Sequence, residues 1–255
     1  MLFLIPTGFF ILGAIAASFS GVMAVRLNTG QSFFTGRSRC DACSATLSPA
    51  ALIPVFSFFI SRGRARCCGA RLSWVSPVSE ALLGLLFVGA YYRLGISLGL
   101  VGMVLSLIFL LALVLYDFAH QILPPGLLAL FISMSALTCL LISGSMLTFF
   151  EMLLVAVAVA TFHAMIHFFS GGRAMGLADA PLVFGLALLT GGTAVSGFVF
   201  SFWIGAVVGI VVLFKRQSGS RMGIEVPFAP FLAAGFLLAY FTQWNPFALI
   251  TTLLR

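Results

Sequence analysis

The sequence predicts an all-α, polytopic membrane protein with about eight transmembrane helices and a small cytoplasmic, cysteine-containing subdomain. Three observations carry that prediction. Hydrophobic residues make up 62% of the 255-residue chain and charged residues only 7%, where a soluble domain carries about a quarter charged residues. The mean hydropathy is +1.20. Long apolar runs recur along the whole chain, whereas an outer-membrane barrel would alternate polar and apolar residues in roughly 10-residue segments.

The first run, Leu2–Val25, is long enough to cross a bilayer. Ala14-Ile15-Ala16 mimics a signal-peptidase site, but no Lys or Arg precedes the apolar stretch, so it reads as a retained span. Its basic flank follows it, which places the N-terminus outside. Residues 26–75 form the one sizeable non-membrane segment and hold seven of the thirteen basic residues and four of the five cysteines. Within it, Ala51–Ile60 is too short to span and is expected to pack inside the subdomain or to lie on the membrane surface. Further runs cover about 77–96, 98–116, 124–143, 147–169, 180–195, 196–214 and 227–252, with Gly191-Gly192 the one visible break between two of them. The expected division is a first span at 1–25, a cytoplasmic Cys-rich subdomain at 26–75 and a membrane-embedded core at 76–255.

Eight spans leave four inner loops, 26–75, 117–123, 170–179 and 215–226, which hold eleven of the thirteen basic residues; Arg93 and Arg255 fall outside. The charge distribution therefore follows the positive-inside rule. A net charge of +7 would otherwise suggest nucleic acid; here topology accounts for it, and no nucleic-acid partner is expected.

Six acids are present: Asp41, Glu80, Asp117, Glu151, Asp179 and Glu225. Carboxylates at a membrane mouth are costly and are kept where they act. Asp117 ends the run Val101–Tyr116, and Asp179 follows the glycine-bearing stretch Gly171, Gly172 and Gly176. The span count puts both on the same, cytoplasmic side. Two facing carboxylates can hydrolyse a peptide bond, one as base for water and one as acid for the leaving amine. The bland reading is that they cap helices or pair with Arg173. Cys40, Cys43, Cys67 and Cys68 have the content of a four-thiolate zinc site, but Ala65 stands where a second C-x-x-C would begin. Neighbouring residues in extended chain point apart, so Cys67 and Cys68 could share one ion only at a sharp turn, and zinc and free thiols both remain open. His163 and His167 share a helix face and read as a polar packing pair; His120 lies in the loop after Asp117. Glu80 is expected to pair with an arginine of the Cys-rich subdomain. Cys139 reads as apolar filler.

The motifs together resemble a known family. V-M-A-V-R-L, C-D-A-C followed by I-P-V-F-S-F-F-I-S-R-G-R-A-R-C-C-G-A, S-P-V-S-E-A-L-L-G, Y-D-F-A-H-Q-I-L-P-P, G-L-A-D-A-P-L and V-P-F-A-P-F-L-A-A-G occur in this order. They resemble the successive motifs of the prepilin peptidases (type IV leader peptidases), membrane aspartic proteases of the G-x-G-D class. The resemblance implies a bacterial inner-membrane enzyme whose active site faces the cytoplasm. It would cut the basic leader from prepilins or pseudopilins of type IV pilus or type II secretion systems, after a glycine. It names Asp117 and Asp179 as catalytic, with Gly176, Ala178 and Glu80 in supporting motifs. Cleavage would need no cofactor; N-methylation of the new terminus would use S-adenosylmethionine, and the cysteines would bind structural zinc. Membrane lipid and the precursor are the expected partners.

Ala178 replaces the second glycine of the motif, and Pro125 and Pro181 replace an aspartate and a lysine. A methyl group beside the catalytic acid is expected to crowd it and to forbid positive φ. These departures leave a second reading, a catalytically altered relative acting in assembly. A third, a small transporter, fits less well because the acids lie at the rim, not the midplane.

Overall fold

In the computed structural model of the chain, the described residues are 3–29, 32, 37–40, 42–173, 175–215 and 227–246. The loop after Lys215 with Glu225, Asp41, and the far end of the last expected span lie outside them. The fold is helical, and among the described residues the only β-pairing is two isolated antiparallel bridges. Among the described residues, eight apolar helices stand where eight spans are expected, two of them only 12 and 14 residues long, with one five-residue helix between the first two. The chain forms two compact units, Met1–Leu100 and Val101–Arg255.

In the first unit, α1 (Leu4–Arg26) packs on α3 (Val75–Leu94). Small residues set that crossing: a Cβ on Gly13 would lie 2.7 Å from the Leu83 carbonyl, and one on Gly84 would lie 2.8 Å from the Phe10 ring. Backbones that approach so closely exploit the packing available to glycine in membrane helices. Phe9 stacks on Tyr91 with centroids 5.1 Å apart. Between these helices lie a 3₁₀ turn (Pro49–Leu52) and α2 (Phe56–Ile60). Phe58 is buried and its ring centroid lies 4.5 Å from that of Trp74, while Phe56, Phe59 and Ile60 are exposed. The short apolar patch thus both packs inward and presents an apolar outer face.

Glu80 departs from expectation. It is buried and accepts hydrogen bonds from the Val55 N–H (2.7 Å) and the Ser76 hydroxyl (3.1 Å), not from an arginine. Val55 has φ +61, and the carboxylate satisfies an otherwise orphaned N–H at the mouth of α2.

The second unit contains α5 (Pro125–Ser143), α6 (Met146–Phe169), α7 (Asp179–Thr190), α8 (Ala194–Lys215) and α9 (Ala229–Thr242), entered through α4 (Leu98–His120). Local chemistry sets several boundaries. Pro125 opens α5 at the first helical position, where its missing N–H costs nothing. Gly144 ends α5 in the left-handed region, and Ser145 caps α6 by accepting the Thr148 N–H at 3.1 Å.

Six helical stretches are long and apolar enough to cross a membrane; α7 and α8 together make one of them, Asp179–Phe214. The break between them falls at Gly191, with φ +54. At 12 residues, α7 is about 18 Å long against a bilayer core of about 30 Å. It can be short because it packs against α5, α6, α8 and α9 and buries Leu182, Val183, Leu186 and Ala187 completely. Outward residues such as Leu154 (72% exposed) and Phe214 (85%) suit lipid rather than water.

Candidate active site and cysteine cluster

Asp117 lies in the last turn of α4 and is buried. The Ala229 N–H, at the start of α9, donates to its carboxylate. Its Oδ2 is buried with no hydrogen-bond partner among the described residues. Asp179 is the first residue of α7 and half-buried; the Gly176 N–H donates to its carboxylate. The charge of Asp117 acts directly on Asp179. The C-terminal end of α4 and the N-terminal ends of α7 and α9 therefore come together around the two carboxylates, with Asp179 in the field of Asp117. Helix N-termini favour negative charge, and the bland reading of helix capping fits Asp117 against the start of α9 but not Asp179, whose partner amide, Gly176, lies in the loop before α7. That reading does not explain why a buried, unpartnered oxygen is kept beside a second acid.

The loop before Asp179 is built for close approach. A Cβ on Gly176 would lie 3.3 Å from Asp179 Oδ2. His167 Nδ1 lies 2.7 Å from the Met175 carbonyl; that contact requires a protonated Nδ1 and ties the loop to the end of α6. Gly172, with φ +76, passes under the His167 ring, where a Cβ would meet Cε1 at 3.3 Å. Ala178, by contrast, has φ −65 and ψ −18. The expectation that its methyl group forbids a needed positive φ is therefore corrected: the position is ordinary right-handed backbone that alanine adopts freely. His163 is fully buried, both ring nitrogens without a hydrogen-bond partner among the described residues, beside Phe198 and Phe228. His120 is exposed and packs against Tyr116. The Ala229 amide and the His167 clasp are missed by the sequence; the only hint of the first is the quoted motif around Pro227–Gly235.

The first unit brings Cys40, Cys43, Cys67 and Cys68 together, their sulfurs all within 4.8 Å of one another. Two backbone turns of the same construction do this. In the first, Cys40 N–H bonds to the Ala45 carbonyl (2.9 Å), Ser44 N–H to the Cys40 carbonyl (2.8 Å), and Arg39 bridges Thr46. In the second, Ala65 N–H bonds to the Ala70 carbonyl (2.8 Å), Gly69 N–H to the Ala65 carbonyl (2.7 Å), and Arg64 bridges Arg71. Ser44 and Gly69 both have positive φ. Cys43 and Cys68 are thus equivalent, Ala65 occupies the place of Cys40, and Cys67 supplies the fourth sulfur from inside the second turn. This is the sharp turn that the adjacent cysteines require.

Sulfur separations are 3.3 Å for Cys43–Cys67, 3.8 Å for Cys40–Cys68 and 3.9 Å for Cys67–Cys68. Zn–S bonds of about 2.3 Å in a tetrahedron place sulfurs roughly 3.8 Å apart, so the residues fit a four-thiolate zinc site. The Ala42 and Cys43 backbone N–H groups hold the Cys40 thiol down to about 7, while the Cys43 and Cys40 sulfurs push Cys67 up to about 12. A metal would take these sulfurs as thiolates.

Residues 11–94 match the model of the bacterial peptidase A24 N-terminal domain. The chain is 32% identical over 237 residues to a prepilin leader peptidase/N-methyltransferase of Bacillus subtilis, covering 91% of this chain and 92% of that one. Like-named proteins of Myxococcus xanthus (37% over 47% of this chain and 37% of that one) and Dickeya chrysanthemi (29% over 82% and 75%) are also similar. No solved structure matches. The chain belongs to the prepilin leader peptidase/N-methyltransferase family.

Proposed function

We propose that this protein is an aspartic endopeptidase that removes the leader from prepilin or pseudopilin precursors after a glycine, at the cytoplasmic face of the inner membrane. The observation that supports this most directly is that Asp117 is buried in the last turn of α4 with one oxygen unpaired among the described residues, its charge reaching Asp179 at the start of α7. Two carboxylates in such reach hold one proton between them. The ionised member takes a proton from water as the water attacks the scissile carbonyl, and the protonated member donates to the carbonyl oxygen. Collapse of the tetrahedral intermediate breaks the C–N bond and passes the proton to the leaving amine. The Gly176 and Ala229 N–H groups steady the carboxylates throughout.

Zinc held by Cys40, Cys43, Cys67 and Cys68 would be a closed structural site that fixes the two turns to each other. The family name carries N-methylation as well; the described side chains do not single out a seat for S-adenosylmethionine. The right-handed geometry at Ala178 removes one of the departures that favour the assembly-factor reading.

The experiment is co-expression with a candidate prepilin in a host lacking its own peptidase, with the mature N-terminus read by mass spectrometry. Cleavage after glycine is expected. A folded protein that processes no cognate precursor would sink the proposal, and an added methylene mass on the product would show the second activity.

A further inference from the structure

Arg64 and Arg71 stand directly opposite each other across an antiparallel bridge. Like charges in that position repel, and a third guanidinium, Arg62, lines the same cleft. The one described carboxylate of this unit, Glu80, is taken up by Val55 and Ser76. The cleft, about 440 Å³, has Phe58, Phe59 and Trp74 as its apolar wall. Gly63 holds its edge: its carbonyl accepts the Leu72 N–H at 2.8 Å, and with φ +67 it seats over Phe58, where a Cβ would lie 3.2 Å from the ring. The apolar wall continues outward through Phe56 and Ile60, both about two-thirds exposed. Trp74 is the residue before α3, a 20-residue membrane-spanning helix. Tryptophan beside a span marks the membrane–water interface, so the cleft opens at headgroup depth.

We propose that this cleft binds an anionic phospholipid, its phosphate held by Arg62, Arg64 and Arg71 and its glycerol and upper acyl region lying on Phe59 and Trp74. Guanidiniums match phosphate oxygens in bidentate geometry, and a bound anion relieves the Arg64–Arg71 repulsion. A zwitterionic headgroup brings a cation into a site with three cations and no described free carboxylate. S-adenosylmethionine has two cationic centres to one carboxylate and is disfavoured for the same reason. Free phosphate would leave the aromatic wall in water. The proposal is independent of the peptidase mechanism.

The full-length protein in nanodiscs tests it, using tryptophan quenching by brominated phosphatidylglycerol or brominated phosphatidylcholine, each diluted in the other, unlabelled lipid. W74F isolates the Trp74 signal. Brominated phosphatidylglycerol should be preferred about fivefold or more at Trp74. R64Q/R71Q should erase that preference and R64K/R71K should retain part of it. Equal quenching by both lipids in the wild type overturns the proposal. So does an undiminished preference in R64Q/R71Q, or displacement of the lipid by inorganic phosphate or S-adenosylmethionine. Should R64Q/R71Q fail to fold, native mass spectrometry of the wild type released from mixed-lipid discs decides. Retained phosphatidylglycerol supports the site, and equal retention of phosphatidylcholine overturns it.

Discussion

A methyl group on Gly176 would sit 3.3 Å from Asp179 Oδ2, inside the distance at which a neighbour must give way. Gly176→Ala should therefore shift the carboxylate by a fraction of an ångström and lower cleavage by roughly 5- to 10-fold, less than the loss expected from a full ångström of misplacement, with the protein still folded. Ala178→Gly should leave cleavage within about threefold, because φ −65 needs no glycine and the only change is a modest gain in chain freedom. Steady-state cleavage of a purified precursor checks both. The sequence points the other way, treating Ala178 as the costly departure, because a motif lists residue types and carries no φ. Conversely, both aspartates are legible from their scarcity and rim position, while the amides that bond to them are main-chain groups that no side-chain pattern reveals.

The two cysteine turns make a prediction at the scale of the element. If Cys67 serves in place of a missing cysteine at position 65, Cys67→Ala should lose tightly bound zinc. Moving the thiol back in the double substitution A65C/C67A should restore about one zinc per chain and a tetrahedral thiolate spectrum with cobalt. Metal analysis and absorption of the cobalt-loaded full-length protein read this out. The cysteine spacing alone leaves zinc and free thiols both open. It does so because equivalence of the turns lies in their backbone hydrogen bonds and in Ser44 and Gly69, not in the cysteine register. Glu80 belongs to the same scale: Glu80→Ala orphans the Val55 N–H and should destabilise the first unit by about 2 kcal/mol, seen as a lower Tm in detergent. An acid one turn into a membrane helix invites an arginine partner on paper; the fold gives it a strained backbone amide instead.

Across the whole chain, the helix count was readable because apolar runs and their Gly, Pro and Ser boundaries are local features, and each expected span has its helix. The brevity of α7 was not readable, since a helix wrapped by four others need not reach across the bilayer by itself. The positive-inside rule predicts a cytoplasmic loop before Asp179; if that holds, a reporter inserted after Arg173 should be active only as a cytoplasmic fusion and inactive as a periplasmic one. The central claim is that Asp117 and Asp179 act as one unit, and the most direct test is the rate of precursor cleavage by purified D117N, D179N and the double variant. Residues acting together are non-additive. Each single variant should fall to background, and the double should be no slower than either. A single variant retaining more than about a tenth of wild-type activity, or a double variant showing the product of two partial losses, would contradict a shared catalytic pair.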